Sequence, residues 1–227
     1  MTMMTLPISE EFHSLQGEET YAGTPMHFIR LAGCNVGKHP STVTWEIGKD
    51  EHFPILKTGK VAYRCHTYDG RGFWCDTDFQ KSEPMDLDTL LNNTWERHIC
   101  LTGGEPLLHA SKLYQISDEC QARGIMLHVE SSGTILELVP GWLTVSPKEG
   151  FLEEMIDWAD EIKLLIDDGF HLDLVPKCIL DHDNVFVQPI NAELALNPAN
   201  FKHTMEVLRV RPDWKCSVQL HKLLGLR

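Results

Sequence analysis

No apolar stretch in this 227-residue sequence approaches the roughly 18 residues that a membrane-spanning helix needs. The amino-terminal segment Met1–Glu11 also lacks the basic flank and apolar block of a secretory signal. Both absences point to a cytoplasmic protein. Basic residues are scarce, and 20 Lys and Arg against 33 Asp and Glu leave a net charge of −13. That balance works against a broad electrostatic grip on nucleic acid or an anionic membrane, and favours a small-molecule partner. Internal repeats and low-complexity tracts are missing, so nothing marks a linker. Twelve histidines are present, but no closely paired Cys or His ligands at zinc-finger spacing.

What remains is 42% apolar and 23% charged, enough for one globular domain over residues 1–227. Short apolar runs predict strands at Met26–Leu31, Ile99–Thr102, Ile125–Glu130, Trp142–Val145, Glu161–Ile166, Val185–Pro189 and Ser217–Leu220. Helical spacing covers Leu87–Arg97, Leu108–Arg123, Leu152–Trp158 and Pro198–Arg209. Asp86 is suited to cap the first, Gly124 to stop the second and Pro198 to open the last. Residues of about 35–72, rich in Gly, Lys, His and Thr, form an insertion too long for bare loop. Strand–helix alternation predicts a mostly parallel sheet, either doubly wound or a complete or partial barrel. Both architectures place their chemistry at the carboxyl ends of the strands.

Thr102-Gly103-Gly104-Glu105-Pro106 lies at such an end. It suits a ligand approaching the backbone and an acid facing an ammonium group, or an ordinary tight turn. Seven cysteines in a reducing compartment are metal ligands, catalytic groups or core residues rather than disulfides. Cys34 and Cys75 sit among polar loop residues, and Cys65 is the only other cysteine before Cys100. Three thiolates from separate segments are what an iron–sulfur cluster with one open iron requires, although free cysteines are also often buried as small hydrophobes. Cys100, Cys120, Cys178 and Cys216 read as core or surface thiols, Trp95, Trp142, Trp158 and Trp214 as packing residues, and Glu153, Glu154, Asp157, Asp160 and Glu161 as a solvated face.

The blocks Glu10–Glu18, Phe28–Asn35 and Trp74–Thr77 closely resemble the 7-carboxy-7-deazaguanine synthases, radical S-adenosylmethionine enzymes. So do Leu101–Leu107, Glu130–Thr134, Val145–Lys148, Asp160–Lys163 and the tail Val218–Gly225, all in family order. One departure stands out. The family's last two cluster cysteines are usually separated by two residues, whereas nine separate Cys65 from Cys75, and the usual spacing lands on Gly72. His66 is a substitute ligand to weigh against Cys65.

The resemblance implies a partial (β/α) barrel of about six mostly parallel strands. It implies a 4Fe-4S cluster on Cys34, Cys65 and Cys75, with Asp76 and Trp74 packed close by. S-adenosylmethionine would meet Gly104, Glu105, Ser132, Ser146, Pro147, Lys148, Gln188, Pro189, Ile190 and Asn191. A pterin substrate would meet Leu15, Gln16, Gly17, Arg30, Thr102 and Arg227, beside a magnesium ion on Thr77. The implied reaction converts 6-carboxytetrahydropterin to 7-carboxy-7-deazaguanine, with ammonia lost, in 7-deazapurine (queuosine-type) biosynthesis. A homodimer and an electron donor such as flavodoxin belong to the same expectation. The competing expectations are a related radical enzyme acting on another substrate, and a zinc-binding or inactive structural protein.

Overall fold

The computed structural model describes residues 4–38, 63–75, 77–191 and 196–226. Residues 39–62 of the expected insertion, together with Asp76 and Arg227, lie outside the described residues. The chain opens with β1 (Thr5–Leu15) and β2 (Pro25–Leu31), an antiparallel pair. A two-stranded hairpin follows, β3 (Tyr63–His66) with β4 (Gly72–Cys75). Then come β5 (Glu83–Asp86), α1 (Leu87–Asn93), β6 (His98–Gly103), α2 (Ala110–Ala122), β7 (Met126–Ser131), β8 (Trp142–Val145) and α3 (Glu153–Asp157). The remainder is β9 (Glu161–Ile166), α4 (Lys177–Leu180), β10 (Val185–Pro189), α5 (Pro198–Val210), β11 (Lys215–Cys216) and α6 (Leu220–Leu223). Asp86 caps α1 by accepting from Thr89 N, Gly124 ends α2 at φ +70°, and Asn197 caps α5 ahead of Pro198.

The main sheet has nine strands in the order β11-β10-β9-β8-β7-β6-β2-β1-β5. Its parallel strands follow one another without reversal, from β2 through β6 to β11. A doubly wound sheet reverses direction at a switch point, so this is the other alternative, a barrel-type winding left open. Six full parallel strands and the two-residue β11 match the partial barrel, and antiparallel β1 and β5 extend one edge. Among the described residues no helix is long and apolar enough to cross a membrane.

Each parallel strand is two-faced. Ile29, Leu31, Ile99, Leu101, Leu127, Val129, Leu143, Val145, Ile162, Leu164, Val185 and Val187 enter one core beneath the helices. The alternate positions Arg30, Thr102, Glu130, Thr144, Lys163 and Gln188 face the other way, as the pleat demands. That second face carries the pocket. Phe12, Phe28, Met26 and Cys100 close it below the polar positions, with the Phe12 and Phe28 rings stacked 5.1 Å apart.

Three expectations need correction. Ser217–Leu220 is not a strand: pairing stops at Cys216, Ser217 N donates to Val187 O, and the chain crosses until Leu220 N donates to Gly17 O. Glu161 is buried rather than solvated, accepting from Thr144 Oγ1 at 2.6 Å and Thr20 N at 3.2 Å. Trp95 is largely exposed and Trp158 is 41% exposed, whereas Trp214 is in the core.

At the amino-terminal end of the pocket face, His98 and His128 share a 2.9 Å hydrogen bond under the edge of Tyr21. Burial, reinforced by His98, holds His128 down to about 4. Its unfolded value is higher, so the unfolded chain binds more protons and stability must fall with pH. The contribution is complete above about 6.5 and lost as pH drops through about 4, amounting to about 3 kcal/mol. Denaturant midpoints of the metal-free protein should therefore decline between pH 6.5 and 4, and less steeply in His128→Gln. Equal slopes in both proteins would assign the acid sensitivity elsewhere.

Candidate active site

One pocket opens at the carboxyl ends of the parallel strands, and Cys34, Cys65 and Cys75 all line it. Cys34 follows β2 in a tight loop where Gly37 N donates to its Sγ at 3.2 Å. This loop docks on the end of β6: Gly104 N donates to Leu31 O and Glu105 N to Gly33 O. The approach leaves no room for a side chain, since a Cβ on Gly104 would lie 1.8 Å from Gly33 O.

The other two cysteines ride on the β3–β4 hairpin. Cys65 is opposite Phe73 and Tyr63 opposite Cys75, which puts both thiols on one face. They are hydrogen-bonded to each other, while His66, the next residue, does not line the pocket. Lys38 and Arg64 exchange two backbone hydrogen bonds, of 2.9 and 3.1 Å, returning the chain beside Cys34. At the hairpin's other end Arg71 spans Asp69, Asp167 and Leu165 O at 2.8, 2.5 and 3.0 Å. Arg64 covers the Trp74 ring, on the side away from the pocket-lining Phe73 and Cys75. The hydrogen bond that Cys65 donates to Cys75, together with burial, pushes the Cys65 thiol up, and burial does the same to Cys34. Three converging sulfurs from separate segments fit a thiolate-held cluster, whose iron would deprotonate them outright.

Around this corner lie Gly104, Ser132, Ser146, Lys148 and Gln188, all lining the pocket. Lys148 Nζ donates to Ser146 O and Oγ at 2.9 and 2.6 Å, and burial brings its ammonium down to about 8. Glu105 is completely buried behind the wall, accepting from Leu107 N, Ser131 Oγ, Ser132 N and Ser132 Oγ. It organises the serine turn. Pro147, Pro189, Ile190 and Asn191 do not line the pocket, and Asn191 ties Gln219 in the tail to the end of β10.

At the opposite side Leu15, Gln16, Arg30, Thr77 and Thr102 line the pocket. Arg30 donates to Thr77 Oγ1 at 2.8 Å and lies 3.4 Å from Glu10, over the Phe12 ring. Gly17 lies under the tail, where any Cβ would strike the His221 ring.

Residue-by-residue reading missed the pocket's electrostatic centre. Lys163 Nζ lies 2.5 Å from Glu18, 3.2 Å from Glu19 and 3.8 Å from Glu130. Gln188 and Gln219 also donate to Glu18, and Gln16 and Thr102 to Glu130. Burial opposes ionisation of Glu18, but the Lys163 ammonium outweighs it and holds the carboxyl at about 2. Burial raises Glu19 well above the usual range, against the pull of Lys163 and with Glu18 adding to the rise. Glu19 also adopts φ +53°, a costly conformation for a residue with a side chain. The only sequence signal for this network is that Gln16, Glu18, Thr102, Glu130, Lys163 and Gln219 fall within the family-like blocks.

No family model matched the sequence. The chain is 31% identical over 240 residues to the 7-carboxy-7-deazaguanine synthase of Buchnera aphidicola subsp. Schizaphis graminum, covering 99% of this chain and 100% of that protein. It is 29% identical over 248 residues to the enzyme of the same name from Escherichia coli K12, covering 98% and 100%. The crystal structure of QueE from Escherichia coli superposes with a TM-score of 0.63 at 28% identity, covering 96% of this chain and 95% of that one. With this identity running the full length of both chains, and with the cysteines gathered at the mouth of the same kind of open barrel, the chain belongs to the 7-carboxy-7-deazaguanine synthase family of radical S-adenosylmethionine enzymes.

Proposed function

We propose that the chain holds a 4Fe-4S cluster on Cys34, Cys65 and Cys75 and converts 6-carboxy-5,6,7,8-tetrahydropterin to 7-carboxy-7-deazaguanine, with loss of ammonia. The observation that carries this reading is the meeting of three thiols from separate segments with Arg30, Thr102 and Glu130 in one pocket. Bound between the three cysteines and the Gly104–Lys148 side of the pocket, a cluster with S-adenosylmethionine would supply radical hydrogen-abstraction chemistry. The chain's own residues do the positioning. Gly104, Ser132, Ser146, Lys148 and Gln188 line the cofactor side, and Leu15, Gln16, Arg30 and Thr102 the pterin side. Arg30 presents a planar cation suited to a carboxylate through two hydrogen bonds. Thr77 offers a hard oxygen ligand for magnesium, an ion that needs few protein groups. Queuosine-type 7-deazapurine biosynthesis, a flavodoxin-type donor and a homodimer complete the reading.

The test is anaerobic reconstitution with iron and sulfide, then turnover of the pterin with S-adenosylmethionine, magnesium and a reductant. Product should form in the parent. In Arg30→Lys the charge stays but the two-pronged geometry is lost, so KM for the pterin should rise by roughly 10- to 100-fold with a smaller change in kcat. Cofactor cleavage without product in the parent would keep the radical chemistry and reject the substrate. A variant with unchanged KM would remove Arg30 from the binding site.

A further inference from the structure

A second cluster of ligating groups lies on the outer face of the β1–β2 pair. His13 and His27 are direct partners across the strands, and Glu11 is two residues from His13 on the same face. One ligand atom from each of the three lies within 4.8 Å of the others. Glu96, wholly buried, meets His13 Nδ1 at 2.8 Å.

The hydrogen bonding does not close by itself. Thr94 Oγ1 spends its proton on Leu90 O at 3.0 Å, so His27 Nδ1, 2.7 Å from that oxygen, must be the donor between them. A neutral His27 then turns a bare Nε2 lone pair to Glu11 Oε1 at 2.9 Å, acceptor against acceptor. Asn93 already donates to that oxygen at 2.6 Å and supplies nothing between the two. The contact calls for a positive centre between Nε2 and Oε1.

We propose that Glu11, His13 and His27, with Glu96 as the fourth group, bind a divalent transition-metal ion with the nitrogen and oxygen preference of zinc. Two neutral imidazoles and two carboxylates carry a charge that one such ion cancels. Residues i and i+2 of a strand plus a cross-strand partner present three ligands from one face, with the fourth arriving from the turn after α1. Thr94 and Asn93 supply the outer hydrogen bonds that orient metal ligands. The His13 ring now stacks on His27 at 4.3 Å. Its side chain is 28% exposed, which gives it room to turn a nitrogen onto the ion. So placed, the ion would pin the β1–β2 pair to the α1–β6 turn, on the face away from the pocket.

The test uses the full chain with its cluster assembled, titrated with zinc alone and desalted. One zinc per chain should be retained, with an X-ray absorption shell of nitrogen and oxygen at about 2.0–2.1 Å. In His13→Asn, chosen because that side chain is the partly exposed ligand, affinity should drop at least about tenfold. Zinc should raise the unfolding temperature of the parent by roughly 5 °C and leave the variant's unmoved. Failure to retain zinc, a sulfur shell at about 2.3 Å, or unchanged affinity in His13→Asn would each overturn the proposal. Because the shell identifies the ligands directly, these outcomes are independent of whether the pterin is turned over.

Discussion

Replacing Cys65 by alanine is expected to abolish cluster assembly while leaving the fold intact. The thiol is buried on one hairpin face with Cys75, so its removal costs packing of about 1 kcal/mol but takes away one of three sulfurs. After anaerobic reconstitution, iron should fall from about four per chain to almost none, and reductive cleavage of S-adenosylmethionine should vanish with it. His66→Ala should retain both, since the hairpin turns that ring away from the pocket. The reverse pattern, a cluster surviving without Cys65 and lost without His66, would move the ligand by one residue and refute the assignment.

Lys163→Met should be the most destabilising single change at the site. It deletes a cation shared by Glu18, Glu19 and Glu130 and leaves an ionised carboxylate buried. Breaking such a cluster from one side costs about 3–5 kcal/mol, or roughly 10 °C in unfolding temperature for a chain of this size. The pH dependence should also invert. In the parent, Glu18 is held at about 2, so its contribution is present above its ordinary value of 4.5 and lost as pH falls towards 2. Without Lys163, burial is expected to outweigh the Gln188 and Gln219 donors and raise Glu18, so the variant should gain stability as pH falls and lose it as pH rises. Glu18→Gln in the Lys163→Met background should restore part of the loss. If Lys163→Met tracks the parent across pH, the network carries little energy. Turnover should drop by about 100-fold or more, because Gln16 and Thr102 are held through Glu130.

The parallel strands were legible because each strand carries apolar residues that the helices must cover, whereas the choice of a barrel over a doubly wound sheet came only through the family resemblance. The polar positions between them, such as Thr102 and Gln188, look like interruptions in the sequence and are the pocket floor in space. The first strand was not legible. Between Ile8 and Glu10 its register shifts, so Leu6 and Ile8 face the core while Phe12, also at an even position, faces the pocket. Alternation that changes phase leaves no continuous period to find. The cysteines were legible as chemistry and through the family-like blocks, but their meeting depends on a hairpin in a stretch that reads as irregular. The Lys163 network had no local signature at all, since Glu18, Glu130, Lys163, Gln188 and Gln219 come from five separate segments.

The two backbone bonds between Lys38 and Arg64 have a broader meaning. They close the intervening chain at its base, so the positions of Cys34 and Cys65 are fixed by the stem, whatever the length of the excursion between them. Lengthening an excursion already closed at its ends carries only an entropic cost that grows logarithmically, about 0.6 kcal/mol per doubling. Linear cysteine spacing is therefore a weak constraint on a metal site built this way. The family's sequence signature can drift apart while the three sulfurs stay together, and a search that demands fixed spacing would pass over proteins whose thiols converge in space.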